Sequence, residues 1–285
     1  MKLALTLALL LLSTGVFALS PSDVAFWSDL GEGSGTAVSD SGIYGNDGFL
    51  TGASLAWDAA DVPSTLPNSI GIIPANADAI VYPSNAITSV GEVGQDYTVS
   101  VWFKTSVDQY AALGIYGQYD YATNPGANNP NGRYPYSANM QENGKVGLAN
   151  YDGAVNPFEL TGFLADGEWH HVVFVRDGVN QEITGYIDGK KAMQFADTTS
   201  VSLVQPTDIF FGFNPASQAY FDGKIAQPIL LTTALGKNEV KRLYNHGEGR
   251  TYEQIFRTEE VPEFSAAGAV VILTLGAALV AFVRR

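Results

Sequence analysis

The residues best suited to chemistry in this chain are hard oxygen donors, aromatic rings and amides, rather than nucleophiles. Asp40, Asn46 and Asp47 sit on a glycine-rich stretch, Asp40-Ser41-Gly42-Ile43-Tyr44-Gly45-Asn46-Asp47-Gly48. Calcium takes six to eight such oxygens, some of them backbone carbonyls. Asp222, much later in the chain, is a further donor that a closing strand could bring to the same ion. The spacing supports structural Ca²⁺ at Asp40, Asn46, Asp47 and Asp222. It equally supports plain turn chemistry, with Asn46-Asp47-Gly48 as a turn and Asp40 as an Asx cap.

A second concentration lies between Tyr119 and Asn143, a stretch rich in Asn, Pro, Gly and Tyr. Sugar sites set aromatic rings against the apolar face of the ring and place amides and charged groups on the hydroxyls. Tyr121, Asn124, Asn129, Arg133, Tyr134 and Tyr136 supply that mixture and are the expected ligand-binding residues. The same tyrosines would also serve simply to pack a long loop onto the body. His170 and His171 are strand neighbours and point to opposite faces, so they do not ligate one metal together. Their expected roles are structural, with one buried and hydrogen-bonded and the other exposed.

Catalytic patterns are missing. There is no Gly-x-Ser-x-Gly elbow, no His-Glu-x-x-His helix, no phosphate loop and no cysteine. Glycoside hydrolysis needs two carboxylates at a set separation, and no Glu-x-Asp-x-x-Glu or Glu-x-Asp-x-Glu strand occurs. The expectation is a binding protein, not an enzyme. Asn-x-Ser/Thr is also absent, so no N-glycan is expected.

The elements that must position these residues are strands. Tyr97 to Lys104 alternates, with Val99, Val101 and Phe103 on one face and Thr98, Ser100, Trp102 and Lys104 on the other. Trp169 to Arg176 is a second strand and ends at the turn signal Asp177-Gly178. Ile183 to Ile187 returns to Asp188-Gly189, and Lys191 to Phe195 continues the meander. Asp208 to Phe213 and Gly223 to Leu231 complete the set. One helix is expected over Lys237 to Asn245, with Gly236 as N-cap, Glu239 three residues on and Gly247 as the stop. Short strands broken by Gly, Asn, Asp and Pro, with no βαβ alternation, give an all-β, antiparallel two-sheet sandwich.

The ends address the chain to a membrane. Met1-Lys2, the apolar run from Leu3 to Leu12 and the small residues up to Ala18 have the layout of a secretory signal peptide; an uncleaved N-terminal anchor is the other reading. Ser265 to Val283 is uncharged, nearly all Ala, Val, Leu, Ile and Gly, and long enough for a transmembrane helix. Arg284-Arg285 then place the end inside and the body outside. The domain plan is therefore 1–18 signal, 21–248 sandwich, 249–264 stalk and sorting motif, 265–283 span and 284–285 basic end. Without cysteine, the exported body relies on its core, a bound ion, or both. Its net charge of -14 for the whole chain argues against nucleic acid and anionic lipid as partners.

Three stretches, taken together, resemble the laminin-G-like, concanavalin A-like lectin/glucanase sandwich. They are the Asp40–Gly48 loop, Asp166-Gly167-Glu168-Trp169-His170-His171-Val172 with Gly185-Tyr186-Ile187-Asp188-Gly189-Lys190, and Tyr220-Phe221-Asp222-Gly223-Lys224-Ile225-Ala226 leading to Leu243-Tyr244. The resemblance implies a jelly roll of two antiparallel sheets, with ligands at rim loops or on the concave face. It implies cell adhesion or carbohydrate binding, with a carbohydrate or surface protein as partner. The family often carries two aspartates after the Gly-x-Ile of the closing strand. Here Ala226-Gln227-Pro228 stand in that place, which removes a ligand pair from any calcium site. A self-associating envelope component is the alternative function, and a glycan-degrading enzyme of the glucanase type ranks behind it. At the C-terminus, Pro262-Glu263-Phe264, the apolar segment and the two arginines resemble the PEF-type sorting signal of archaeal surface proteins. That resemblance implies an archaeosortase as processing partner.

Overall fold

The computed structural model describes residues 19–53, 56–83, 92–108, 111–116, 134–140, 143–151, 159–200, 208–214 and 219–256. Among the described residues, eighteen strands form two eight-stranded antiparallel sheets and a two-stranded ribbon. The first sheet holds β1 (Val24–Trp27), β4 (Ala56–Asp58), β5 (Ser69–Ile72), β7 (Tyr97–Lys104), β12 (Trp169–Asp177), β13 (Glu182–Ile187), β14 (Lys190–Ala196) and β18 (Gly223–Leu231). Its order is β14-β13-β12-β7-β18-β5-β4, with β1 also paired to β18. The second sheet holds β2 (Ala37–Val38), β3 (Gly48–Thr51), β6 (Ala79–Tyr82), β8 (Ala111–Tyr116), β9 (Tyr134–Met140), β10 (Lys145–Tyr151), β11 (Glu159–Phe163) and β15 (Ile209–Phe211). Its order is β11-β10-β9-β8-β15-β6-β3-β2. The ribbon is β16 (Phe213–Asn214) with β17 (Ala219–Tyr220).

Alternation explains the core. Val99, Val101 and Phe103 of β7 meet Val172 and Phe174 of β12 and Ile225 of β18 on the inner face of the first sheet. Leu50, Ile80, Tyr82, Ile209 and Phe211 face them from the second. Each such side chain contributes roughly 1.5–3 kcal/mol on burial, so a chain without cysteine is held by this layer. Phe26 of β1 stacks on Tyr82 with ring centroids 3.8 Å apart, and the Tyr82 hydroxyl bonds the Ser28 hydroxyl at 2.7 Å.

The outward face of β7 is buried too, because the first sheet has a third layer. Helix α1 (Lys237–Tyr244) and helix α2 (Tyr252–Phe256) lie over it. Leu235, Val240, Leu243 and Ile255 pack on Val173, Val175, Tyr186, Ile229 and Leu231. Trp102 lies under Leu66 and Tyr244 and is fully buried. Glu239 accepts a hydrogen bond from the N–H of Gly236, the expected N-cap, but the helix stops earlier than expected. Asn245, at φ 46°, takes the left-handed cap two residues before Gly247, a conformation that Asn tolerates.

Other expectations change. The strand expected over Asp208 to Phe213 is broken at Gly212, whose φ of 88° turns the chain into the ribbon. The stretch expected to be loop up to Asn143 yields β9, which pairs with β8 and β10. The region expected as stalk from 249 on begins as body: Ile255 is buried and the α2 rings close on Trp27, because Tyr252, Ile255 and Phe256 fall on one helical face. Among the described residues no helix is long and apolar enough to cross a membrane. Segments 1–18 and 265–283 and the motif Pro262-Glu263-Phe264 lie outside the described residues.

Candidate functional site

No helix among the described residues covers the outer face of the second sheet, and two of its outward side chains, Phe49 and Phe210, are aromatic. Where Leu50, Ile80 and Phe211 point inward, the alternate positions Phe49, Val81 and Phe210 point out. The register sets Phe49 opposite Val81 and Val81 opposite Phe210, so the three form a row across β3, β6 and β15. Phe49 is 40% exposed and Phe210 half-buried, with Val81 closed in between them. Phe213 meets Phe210 edge-on at 5.4 Å and stacks on Tyr220 at 4.4 Å, which lengthens the strip.

The backbone row runs on through Tyr116 of β8, opposite Phe210, and Ser137 of β9, opposite Tyr116. Tyr116 is also where the chain leaves β8 for residues 117–133. Four of the expected ligand-binding residues, Tyr121, Asn124, Asn129 and Arg133, belong to that connection and lie outside the described residues. Tyr134 and Tyr136 fall on β9 rather than in a loop, and Ser137, not Tyr136, occupies the register of the row. The sequence reading missed Phe49, Phe210, Phe213 and Tyr220. Period-two alternation around Phe49 and Phe210 was the available signal, but only the pairing of distant strands joins them.

The expected calcium ligands do not converge. Asp40 Oδ1 accepts from the backbone N–H of Trp27 at 2.9 Å and of Gly42 at 2.7 Å, and Oδ2 accepts from Asn46 N–H at 2.9 Å. Asp47 Oδ1 accepts from Asp40 N–H at 2.8 Å, and the Asn46 amide donates to Ala25 O at 2.7 Å. These groups clip the loop to β1, which is the turn-chemistry reading. Asp222 is at the far end of β18: Trp27 pairs with Ile229, whereas Gly223 pairs with Ile72. Six strand residues at about 3.3 Å each put it roughly 20 Å from the Asp40 loop. Among the described residues no three His, Asp or Glu side chains form a metal-holding group. The residues present therefore do not fit a four-donor calcium site.

Both histidines are largely enclosed, against the expectation that one is exposed. His170 bridges Asp188 at 2.9 Å and Asp166 at 3.1 Å. Burial opposes its cation, but the two carboxylates outweigh that and raise its pKa. On the opposite face His171 stacks on Trp102 at 4.6 Å and shares a 2.7 Å hydrogen bond with the Ser100 hydroxyl. Complete burial drives its pKa down to about 3, so it is neutral.

A buried hub also escaped the sequence reading. Asp29 accepts from the Trp27 indole at 2.8 Å, the Gln227 amide at 2.9 Å and the Tyr252 N–H at 3.0 Å. Gln227 sits at a bulge in β18 with φ 48° and also donates to Arg250 O at 2.6 Å. Burial raises the Asp29 pKa, against the pull of these donors. In the place where the resemblance implies a metal-ligand pair, the chain thus uses an amide to join β1, β18 and α2. A surface carboxylate pair, Asp58 and Asp61, is closed by Lys224 at 2.7 Å to each and by Lys104 at 2.9 Å to Asp61.

Comparison with known proteins bears on this arrangement. A family model described as concanavalin A-like lectin/glucanases superfamily, of the laminin-G type, matches residues 76–241. Domain 4 of AbnA, a GH43 extracellular arabinanase from Geobacillus stearothermophilus solved with arabinotriose, is similar with a TM-score of 0.55 at 20% identity. The likeness covers 77% of this chain and 97% of that one. The binding domain of Paraclostridial Mosquitocidal Protein 1 is similar at TM-score 0.56 and 15% identity, over 79% of this chain and 52% of that one. The binding domain of botulinum neurotoxin DC, solved with rat synaptotagmin II, gives 0.58 and 11%, over 79% and 52%. The chain thus spans about half the length of the toxin domains, and identities this low speak for fold alone. No curated protein matches the chain.

Proposed function

Because the chain belongs to the concanavalin A-like lectin/glucanases superfamily, we propose that it is a non-catalytic binding protein that presents the outer face of its second sheet to a carbohydrate. The observation that carries this reading is the strip Phe49–Val81–Phe210, over which no helix lies among the described residues, with Phe213 and Tyr220 beside it. Rings on an unlayered sheet face offer flat apolar surface to a sugar. The sequence between β8 and β9 carries Asn124, Asn129 and Arg133, which this reading assigns to the sugar hydroxyls. Support for a sugar comes also from the arabinotriose bound by the similar arabinanase domain.

The remaining parts of the reading rest on sequence. The leader 1–18 exports the chain, the apolar segment 265–283 tethers it, and the body stands outside the membrane, with Pro262-Glu263-Phe264 as a processing point for a sortase-type enzyme. No cation enters the reading, since the oxygens of Asp40 already accept three backbone N–H groups.

The test is a glycan array that includes arabino-oligosaccharides, run on the full chain in detergent, with and without chelator. Phe49→Ala combined with Phe210→Ala is expected to weaken the best ligand by tenfold or more, a loss of about 1.4 kcal/mol or greater, with chelator making no difference. Unaltered affinity in the double variant sinks the reading. Absence of any glycan ligand, with concentration-dependent assembly that the same variant abolishes, would instead make the strip an interface between copies of an envelope component.

A further inference from the structure

The opposite side of the body carries a feature of a different kind. The turn Asp188-Gly189-Lys190, helix α1 and the loop after it enclose a cavity of about 520 Å³ on the outer side of the first sheet. Lys190, Lys241, Arg242 and Arg250 line it, four of the 15 Lys and Arg in a chain with 29 Asp and Glu. Like charges gathered into one recess repel, and a strongly acidic protein has no general need to gather them. The recess therefore holds a local positive potential inside an overall negative field, which draws and retains anions.

The bland account covers part of the cluster. Lys241 and Arg242 stand in the last turn of α1, where the helix dipole favours cations. Arg242 is also tied down, donating to Ile255 O at 3.3 Å. Lys190 and Arg250 have no such reason to be there, since one opens β14 and the other stands in the loop after the helix. The one carboxylate in the wall is turned away. Asp188 Oδ1 accepts from His171 N–H at 2.9 Å and Oδ2 pairs with His170 at 2.9 Å. Among the described residues no carboxylate pairs with Lys190, Lys241 or Arg250.

Arg250 supplies a second, independent observation. Its Nη2 donates to Asn245 Oδ1 at 3.1 Å, but its Nε is buried and lacks a partner among the described residues. The Nε has no exposed surface, so a ligand in the recess meets the outer guanidinium nitrogens instead, and an oxyanion is the acceptor that suits them. Asn238, the half-buried Tyr244, His246, and Asn245, whose amide is already bonded to Glu248, Gly249 and Arg250, complete the wall with Gly189. The volume lies within the range of small-molecule sites, about 300–1,000 Å³.

We propose that this recess is a second ligand site, separate from the uncovered sheet face, and that it takes an acidic sugar unit whose carboxylate or sulfate meets Lys190, Lys241 and Arg250. Amides and a phenol beside a cation cluster suit a hydroxylated ligand with one anionic group, rather than a bare ion. The site does not depend on the aromatic strip of the second sheet.

The experiment is titration calorimetry on the full chain in detergent with four probes: a uronic-acid disaccharide, a sulfated disaccharide, the neutral disaccharide of the same skeleton, and inorganic sulfate. The expected result is binding of at least one acidic disaccharide, tenfold or more tighter than the neutral one, and weakened several-fold by raising the salt from 50 to 300 mM. Lys190→Gln with Lys241→Gln alters two exposed side chains and should leave the melting temperature in place while reducing that affinity tenfold or more. The pair Phe49→Ala and Phe210→Ala should leave it unchanged, which separates failure at this site from failure at the sheet face. The two disaccharides distinguish carboxylate from sulfate. Equal binding of acidic and neutral sugars, no binding of either acid, wild-type affinity in the lysine variant, or sulfate ion binding as tightly as the sulfated sugar would each overturn the assignment.

Discussion

His171 offers a measurement in which acid, rather than a mutation alone, probes the layer formed by α1. The imidazole is 1% exposed and lies between β7 and Tyr244. Burial holds its folded pKa near 3, against about 6.5 when unfolded. A base whose folded pKa is depressed stabilises nothing by protonation. The unfolded chain takes up a proton below pH 6.5 that the folded chain refuses until about pH 3. Stability from this group is thus complete above pH 6.5 and falls on acidification, by up to about 1.4 kcal/mol per pH unit. Between pH 7 and 4.5 the loss amounts to roughly 2–3 kcal/mol. His171→Gln removes it, while an amide can still reach the Ser100 hydroxyl. The variant is less stable at pH 7 because the ring stack on Trp102 is gone, but that penalty is independent of pH and cancels in the comparison. His170, whose raised pKa acts in the opposite sense, cancels as well. Urea unfolding followed by tryptophan fluorescence should show the wild-type advantage shrinking by roughly 2–3 kcal/mol between the two pH values. A gap that stays constant would mean that water reaches His171 and that α1 does not cover β12.

Two further outcomes follow from packing. Arg176 and Asp197 form an enclosed pair at 2.6 Å, with Arg176 also bonding Glu92 O at 2.9 Å. Asp197→Ala should lower unfolding free energy by about 3–5 kcal/mol, and Arg176→Met with Asp197→Leu by distinctly less, because only the single change strands a buried charge; equal losses in urea melts would count against this. Trp27→Ala removes the ring against which Tyr252 and Phe256 close at 5.8 and 5.9 Å. It should cost about 3–5 kcal/mol and open the chain to trypsin at Arg250, whereas unchanged protection there would show that α2 is held by other contacts.

The legible part of this fold was local. Tyr97–Lys104 and Trp169–Asp177 announce themselves because each alternates within its own span, and the hairpin at Asp188-Gly189 follows from its turn residues. What stayed hidden depends on separations the eye cannot bridge. Phe49, Val81 and Phe210 become neighbours only through pairings of β3, β6 and β15, and Asp29 meets Gln227 and Tyr252 across some two hundred residues. Asp40 and Asp222 look equivalent as oxygen donors, yet β18 holds them apart. β9 was concealed by a composition of Asn, Pro and Tyr that suggests a loop, and α2 by its charged flanks, although Tyr252, Ile255 and Phe256 keep helical spacing.

The clasp that Asp29 and Trp27 make with α2 bears on how the molecule carries mechanical load. A pull transmitted up the chain from residue 256 arrives first at one short helix, whose grip is two aromatic edges and a few hydrogen bonds around one carboxylate. Those contacts are side by side with β1 and with β18, whose position inside the first sheet is secured by β7 on one flank and by β5 and β1 on the other. Tension applied at residue 256 would peel the helix away before any strand is sheared, so the sandwich keeps its shape while the helix gives.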